Sequence, residues 1–223
     1  MKTIYASFIG KGNCGKGTQA KILADKYNLK MISTGSLLRE WALKGDDNFW
    51  AKKINEDIDK GVIVPTALVF YLWFSKLLNF DIHQGVVFEG SPRMPIEGQA
   101  MDEIFNWMEN NHFFVFHLNI PDEESLHRSS VRRYCPKCHQ TYSLDIDPDI
   151  THCKDDNTEL IIRDDDRPEV IKKRIEEFNE HVVPTIEFLR SKGVLYDING
   201  VGSIEEIAEK INQIVEEKIH DNN

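Results

Sequence analysis

Short apolar runs and longer helical stripes alternate along the chain. Runs of strand length occur at residues 3–9, 29–32, 85–88, 113–118 and 193–198. Between them, Ala20, Leu23, Ala24 and Tyr27 share one face of a helical pattern from Gly17 to Tyr27. Met101, Ile104, Phe105 and Met108 do the same from Glu97 to Asn110. A helix from about Arg167 carries Ile171, Ile175, Phe178, Val182, Ile186 and Leu189 on one stripe. Asp166 is expected as its N-cap, with Pro168 in its first turn and a kink at Pro184. Strands alternating with helices predict a parallel sheet covered on both faces. Residues 135–160, rich in Asp, Thr and Cys with little periodicity, break the pattern and read as an insertion, and the chain closes on the polar tail His220 to Asn223.

No run of eighteen apolar residues is present, and the first apolar run is cut by Gly10 and Lys11 before it reaches the length of a signal segment. The expectation is a cytoplasmic protein without a membrane partner. A formal charge of -10 over 223 residues argues against a general nucleic-acid surface, which needs net positive faces. Three of the four cysteines, Cys135, Cys138 and Cys153, fall in one segment while Cys14 stands apart. In a reducing compartment that grouping favours a metal over disulfides.

Two motifs carry chemistry. "FIGKGNCGKGTQA" places Gly10, four residues and then Gly15, Lys16, Gly17 and Thr18 between the first strand and the first helix. This is the context of a phosphate loop: backbone N–H groups and a helix N-terminus face an anion, Lys16 reaches the β- and γ-phosphates, and Thr18 lies near magnesium. The second motif, Cys135-x2-Cys138-x14-Cys153-x2-Asp156, has the spacing of a tetrahedral structural zinc site, with His139, His152 and Asp155 competing for the fourth place. With all four places filled by protein, a catalytic zinc is not expected. A redox pair and a site that no longer binds metal are the competing readings. Cys14 reads as a small filler inside the loop.

The glycine between Lys16 and Thr18, followed by Gln19, resembles adenylate kinases and related nucleoside monophosphate kinases, although Gly12 and Asn13 stand where that family usually has Pro and Gly. Asn tolerates positive φ, so the loop is expected to form. Other resemblances follow in order along nearly the whole chain. "ISTGSLLRE" implies Thr34 and Gly35 near the acceptor nucleoside and Arg39 on its phosphate. "GVIVP" implies backbone contacts from Val62 and Val64 to its base. "EGSPR" implies Gly90 and a second phosphate clamp, Arg93. "HRSSVRR" implies Arg128 at the ATP base and Arg132 at its phosphates. "RDDDR" and "KKR" imply Arg163 and Arg174 at the transferring group, with Asp165 and Asp166 as partners. "INGVG" implies a turn at Gly200 and Gly202 around the ATP adenine. The rest of the loop, Gly10, Gly12, Asn13, Cys14, Gly15 and Gly17, is implied to hold ATP.

The resemblance implies a phosphate-loop NTPase-type three-layer α/β fold with a five-stranded parallel sheet. The core is residues 1–32, 65–127 and 164–223, the monophosphate-binding subdomain 33–64, and a zinc-bearing lid 128–163. It implies a monomer that transfers the ATP γ-phosphoryl group to AMP with Mg2+, through Lys16, Arg93, Arg132, Arg163 and Arg174. Glu89 stands where an Asp is usual and is implied to face magnesium-bound water, and Ser36 replaces its acidic neighbour. Glu97 stands where Gln or Asn commonly reads the acceptor base. An ionised carboxylate only accepts hydrogen bonds, so it would take the adenine amino group, or favour guanine or cytosine; alternatively it faces solvent and Gln99 or backbone reads the base. A GMP or CMP kinase, and a weakly active nucleotide-binding sensor or scaffold, therefore stay open.

Overall fold

The structure, a computed structural model, describes residues 3–45, 47–108 and 111–220. Its centre is β1 (Thr3–Gly10), where Tyr5, Ala6, Ser7, Phe8 and Ile9 are all buried. Burial on both faces is what a central parallel strand requires. The sheet runs β2 (Lys30–Ser33), β3 (Val86–Glu89), β1, β4 (Asn111–Asn119), β7 (Leu195–Asn199), with all neighbours parallel. Parallel register brings the carboxyl ends together: Ser33 lies opposite Glu89, Phe8 opposite Glu89, and Gly10 opposite Leu118. The turns leaving every strand therefore share one edge, where ligands of open α/β sheets bind.

Helices α1 (Lys16–Tyr27) and α9 (Ile204–His220) cover one face, packing Ala20, Leu23, Ile207, Ile211 and Val215 on Phe8, Phe114 and Phe116. On the other face α4 (Thr66–Leu77) and α5 (Pro95–Trp107) set Trp73, Met101 and Phe105 around Tyr5 and Phe88. Two helices, α2 (Thr34–Ala42) and α3 (Phe49–Lys60), project between β2 and α4. After β4, α6 (Asp122–Val131) leads into an antiparallel hairpin of β5 (Arg132–Tyr134) and β6 (Thr141–Ser143), whose own small core is Cys135, Cys153 and Leu160.

The stripe from Ile171 to Leu189 is buried, with Phe178, Val182, Ile186 and Leu189 packed against Ile9 and Val115, but its helix is not uniform. It runs as α7 (Pro168–Glu177), a π turn over Phe178–Val182 and α8 (Val183–Ser191). Pro184, which has no N–H to donate, sits just past the wide turn, in the first turn of α8. The expected N-cap is corrected: Arg167 occupies that position, because Asp166 lies in a 3-10 turn and spends its carboxylate on Arg132. The second helix begins at Pro95 rather than Glu97, and its expected end at Asn110 lies outside the described residues. Of the polar tail, His220 closes α9 and residues 221–223 lie outside the described residues.

Candidate active site

The phosphate loop follows β1 and turns sharply. Gly10, Asn13 and Gly15 all have positive φ (150°, 61° and 93°), so Asn13 takes the left-handed conformation expected of it. At Gly10 a Cβ would lie 2.5 Å from the Leu118 carbonyl and 2.7 Å from the Cys14 sulfur, so β4 and the loop close against a bare backbone. Cys14 is fully buried and fills that space. The Lys16 ammonium donates to the Lys11 carbonyl at 3.1 Å and stands 4.0 Å from Glu89. Thr18 is exposed on the first turn of α1, away from the cleft lining.

Opposite the loop is one cleft lined by Gly10, Gly12, Asn13, Lys16, Gly35, Arg39, Val62, Val64, Glu89, Gly90, Arg93, Arg132, Arg163 and Arg174, among others. Seven cationic side chains and two carboxylates face it, in a chain whose net charge is -10. Two carboxylates behind the lining, Asp165 and Asp166, hold three of the cations. Asp166 takes Arg132 in a forked pair, and Asp165 takes both Arg163 and Arg174. Burial works against the Asp165 charge, but Arg174 and Arg163 outweigh it and hold the carboxyl well below the usual range. A depressed folded pKa gives stability that is complete above the unfolded value, about 3.9, and lost as pH falls through the folded one. Asp165→Asn is therefore expected to cost about 3 kcal/mol at pH 7, with the gap from the parent narrowing below pH ~4 in denaturant titrations.

Arg39 and Arg93 are different. Arg39 folds over Gly35, and Arg93 donates its Nε to the Gly90 carbonyl at 2.9 Å; among the described residues neither has a carboxylate within ion-pair distance. Burial pushes both guanidinium groups down, as do Arg163 beside Arg39 and Arg174 beside Arg93. Glu89, between these arginines and Lys16, accepts from the Ser33 hydroxyl at 2.6 Å. Burial opposes its charge, but Lys16, Ser33, Arg93 and Arg39 prevail and hold it below the usual range.

A second, smaller pocket adjoins the cleft, sharing Leu38, Ile63, Val64 and Arg93 and adding Thr34, Thr66, Val69, Met94 and Glu97. The solvent-facing reading of Glu97 is corrected: it is 1% exposed, turned inward by its bond from the Arg93 backbone N–H, while Gln99 is exposed. On the other side of the loop, Arg128 donates to the Gly200 carbonyl at 3.0 Å and lies beside Gly15, and Gly202 is exposed in the same turn. In the hairpin, the sulfurs of Cys135, Cys138 and Cys153 and a carboxylate oxygen of Asp156 all lie within 4.8 Å of one another, a set able to hold a metal ion.

A sequence profile of the family described as adenylate kinase matches residues 8–194. The chain is 35% identical over 211 residues to an adenylate kinase of Archaeoglobus fulgidus, covering 94% of this chain and 96% of the relative. It is 34% identical to one from Thermodesulfovibrio yellowstonii (95% and 98% covered) and 36% identical to one from Mesomycoplasma hyopneumoniae (89% and 92%). The chain belongs to the adenylate kinase family. It is a nucleotide-binding phosphotransferase with the α/β phosphate-loop kinase fold. No helix among its described residues is long and apolar enough to cross a membrane.

Three residues in or just behind this kinase's cleft escaped the sequence reading. Ser33 caps α2, accepting from the Ser36 N–H, and also holds Glu89. A serine just before a helical run is a readable cap signal. Lys11 donates to the Ile120 carbonyl at 3.1 Å and pairs with Asp122, tying the loop to the end of β4. Glu177 accepts from the Ile63 N–H at 3.4 Å, joining α7 to the end of α3. Nothing local in the sequence marks either of the last two contacts.

Proposed function

We propose that this kinase transfers the γ-phosphoryl group of Mg-ATP reversibly to AMP, giving two ADP, with the acceptor phosphate bound between Arg39 and Arg93. The observation that carries the assignment is this pair of arginines without carboxylate partners, half-buried across the cleft from the phosphate loop. A desolvated cation without a counter-ion is costly, and a phosphate supplies two or more charge-assisted bonds. The fork of each guanidinium suits a phosphate's oxygens, and its charge is permanent.

ATP then lies along the loop from Gly10 to Thr18, its base towards Arg128 and the Gly200–Gly202 turn. Lys16, Arg132, Arg163 and Arg174 surround the transferring group, whose charge spreads over its oxygens in flight. Asp165 and Asp166 fix three of these arginines so that little reorganisation accompanies transfer. Glu89 would face a water of the magnesium that accompanies ATP, an ion that would supply positive charge to the phosphates. Thr34, Gly35, Val62 and Val64 border the acceptor nucleoside. In-line attack by the acceptor phosphate needs no side-chain nucleophile.

The subdomains take the boundaries 33–64 for the acceptor and 128–163 for the lid, and their closure excludes water. Cys135, Cys138, Cys153 and Asp156 suit zinc, which would tie down a lid too polar to build a core of its own. Reduced thiols of this kind fit the cytoplasm, and the catalytic parts are complete in one chain, consistent with a monomer. An acceptor screen with Mg-ATP tests the reading. AMP-dependent ADP formation is expected; turnover only with GMP or CMP would move the acceptor, and nucleotide binding without turnover would reject catalysis.

A further inference from the structure

The pocket beside the cleft combines apolar walls with one inward carboxyl. Leu38, Val64, Val69 and Met94 are its apolar walls and Thr34, Thr66 and Glu97 its polar groups; the space between them is about one water in size, so a flat ring would enter from the cleft by parting these walls. Because Arg93 lines both the pocket and the cleft, a nucleotide whose phosphate meets that arginine would reach the pocket with its base.

Glu97 sits in the first turn of α5, and its direction is fixed by packing. Next to it, a Cβ on Gly98 would lie 3.4 Å from both Phe188 and Thr185 of α8, and Thr185 donates to the Arg93 carbonyl at 3.1 Å. One carboxyl oxygen, Oε2, accepts the Arg93 backbone N–H at 2.7 Å. The other, Oε1, is buried and has no hydrogen-bond partner. No basic side chain among the described residues lies within ion-pair distance of it. The groups around it are the Arg93 guanidinium on its own loop, Ser91, Thr34 of α2, Thr66 of α4 and Thr185 of α8; apart from Arg93, none is charged. Burial drives its pKa up, and the bonds from Ser91 and the Arg93 N–H and the Arg93 charge oppose this without reversing it.

An ionised carboxylate so placed would leave a charged oxygen unpaired, whereas the neutral acid has one donor to offer and one acceptor already used. We infer that Glu97 reads the acceptor base as an un-ionised carboxylic acid, holding the Arg93 N–H at Oε2 and donating its proton from Oε1 to a ring-nitrogen acceptor such as N1 of adenine. The carbonyl oxygen Oε2 keeps a second lone pair beside its Arg93 bond, which can accept from the neighbouring amino group. A carboxyl in this form offers the donor and acceptor of a side-chain amide, and a base with N–H at that ring position, such as guanine, meets donor against donor. This inference rests on the proposed acceptor site and specifies its base.

The test is the KM for AMP at saturating Mg-ATP between pH 6 and 9, in the parent and in Glu97→Gln. The variant keeps the donor at every pH, and the ionisation of the AMP phosphate is common to both proteins. The expected result is a parent-to-variant KM ratio that climbs with pH, by up to about tenfold per unit above the Glu97 pKa, with the kcat ratio nearly flat. Above the Glu97 pKa, calorimetry in two buffers of different ionisation enthalpy should show proton uptake on AMP binding that the variant lacks. A KM ratio that stays constant or falls with pH, while both proteins turn over AMP, would overturn the inference alone. Absence of AMP turnover by the parent at every pH would overturn the acceptor assignment as well.

Discussion

Arg93→Met is expected to lower kcat/KM for AMP by about 10³-fold or more and, at the same time, to raise the stability of the ligand-free protein. The first effect follows from losing a fixed, forked donor to a group whose charge must be neutralised as it reacts. The second follows from the same observation read in the absence of substrate. The guanidinium is partly withdrawn from water beside Arg174 and has no carboxylate within ion-pair distance, only the Gly90 carbonyl. Replacing it with an unbranched apolar chain removes a desolvated charge, so a gain of about 1 kcal/mol is expected, which is roughly 2–4 °C in melting temperature for a chain of this length. Added inorganic phosphate should raise the melting temperature of the parent more than that of the variant. A variant that melts lower and keeps its activity would mean that Arg93 serves the fold rather than the acceptor.

The largest effect on local order is expected at the hairpin. Cys135→Ala should abolish stoichiometric zinc in purified protein and release residues 135–160 from hydrogen-exchange protection, while the central sheet keeps its protection. The hairpin's own core is three buried residues, Cys135, Cys153 and Leu160, with Cys138, Tyr142 and Ile150 partly buried around them. Two of those three are proposed ligands, so little apolar packing remains once the metal is lost. Binding free energies on the order of 10 kcal/mol in small zinc modules far exceed what such a core supplies. Activity should fall at least tenfold, because Arg132 and Arg163 sit at the two points where the hairpin joins the core. Full protection of the segment in metal-free Cys135→Ala would show that packing, not metal, holds it.

The sheet and the phosphate loop were legible in the sequence because their causes are local. A buried parallel strand is a continuous apolar run, and the loop needs Gly10, Gly15 and Lys16 at fixed spacing. The interruption of the helix before Pro184 is readable for the same reason: a missing N–H acts where it stands. The cap at Asp166 misled because a carboxylate before a helix has two competing uses, and here the forked pair with Arg132, thirty-four residues away, takes it. The helix α9 went unread although Ser203 and Glu206 form reciprocal bonds at its start, a capping box visible as Ser-x-x-Glu. Glu97 shows the limit most clearly. Its residue type and position raised the question of the acceptor base, but whether it faced water or the pocket depended on how α5 packs on α8.

Carboxylates organise the cleft as much as arginines do. Asp165 and Asp166 preset three cations, and Glu89 is held by Ser33 beside Lys16, whereas Arg39 and Arg93, the proposed clamps of the acceptor phosphate, have no carboxylate within ion-pair distance among the described residues. The division predicts an enzyme that transfers a phosphoryl group between nucleotides and wastes little on water. Chromatography of the products from Mg-ATP, with and without AMP, tests this most directly. Two ADP formed for each AMP consumed, with inorganic phosphate release slow in either case, is the predicted result; ADP and phosphate appearing together at the same rate without AMP would contradict it.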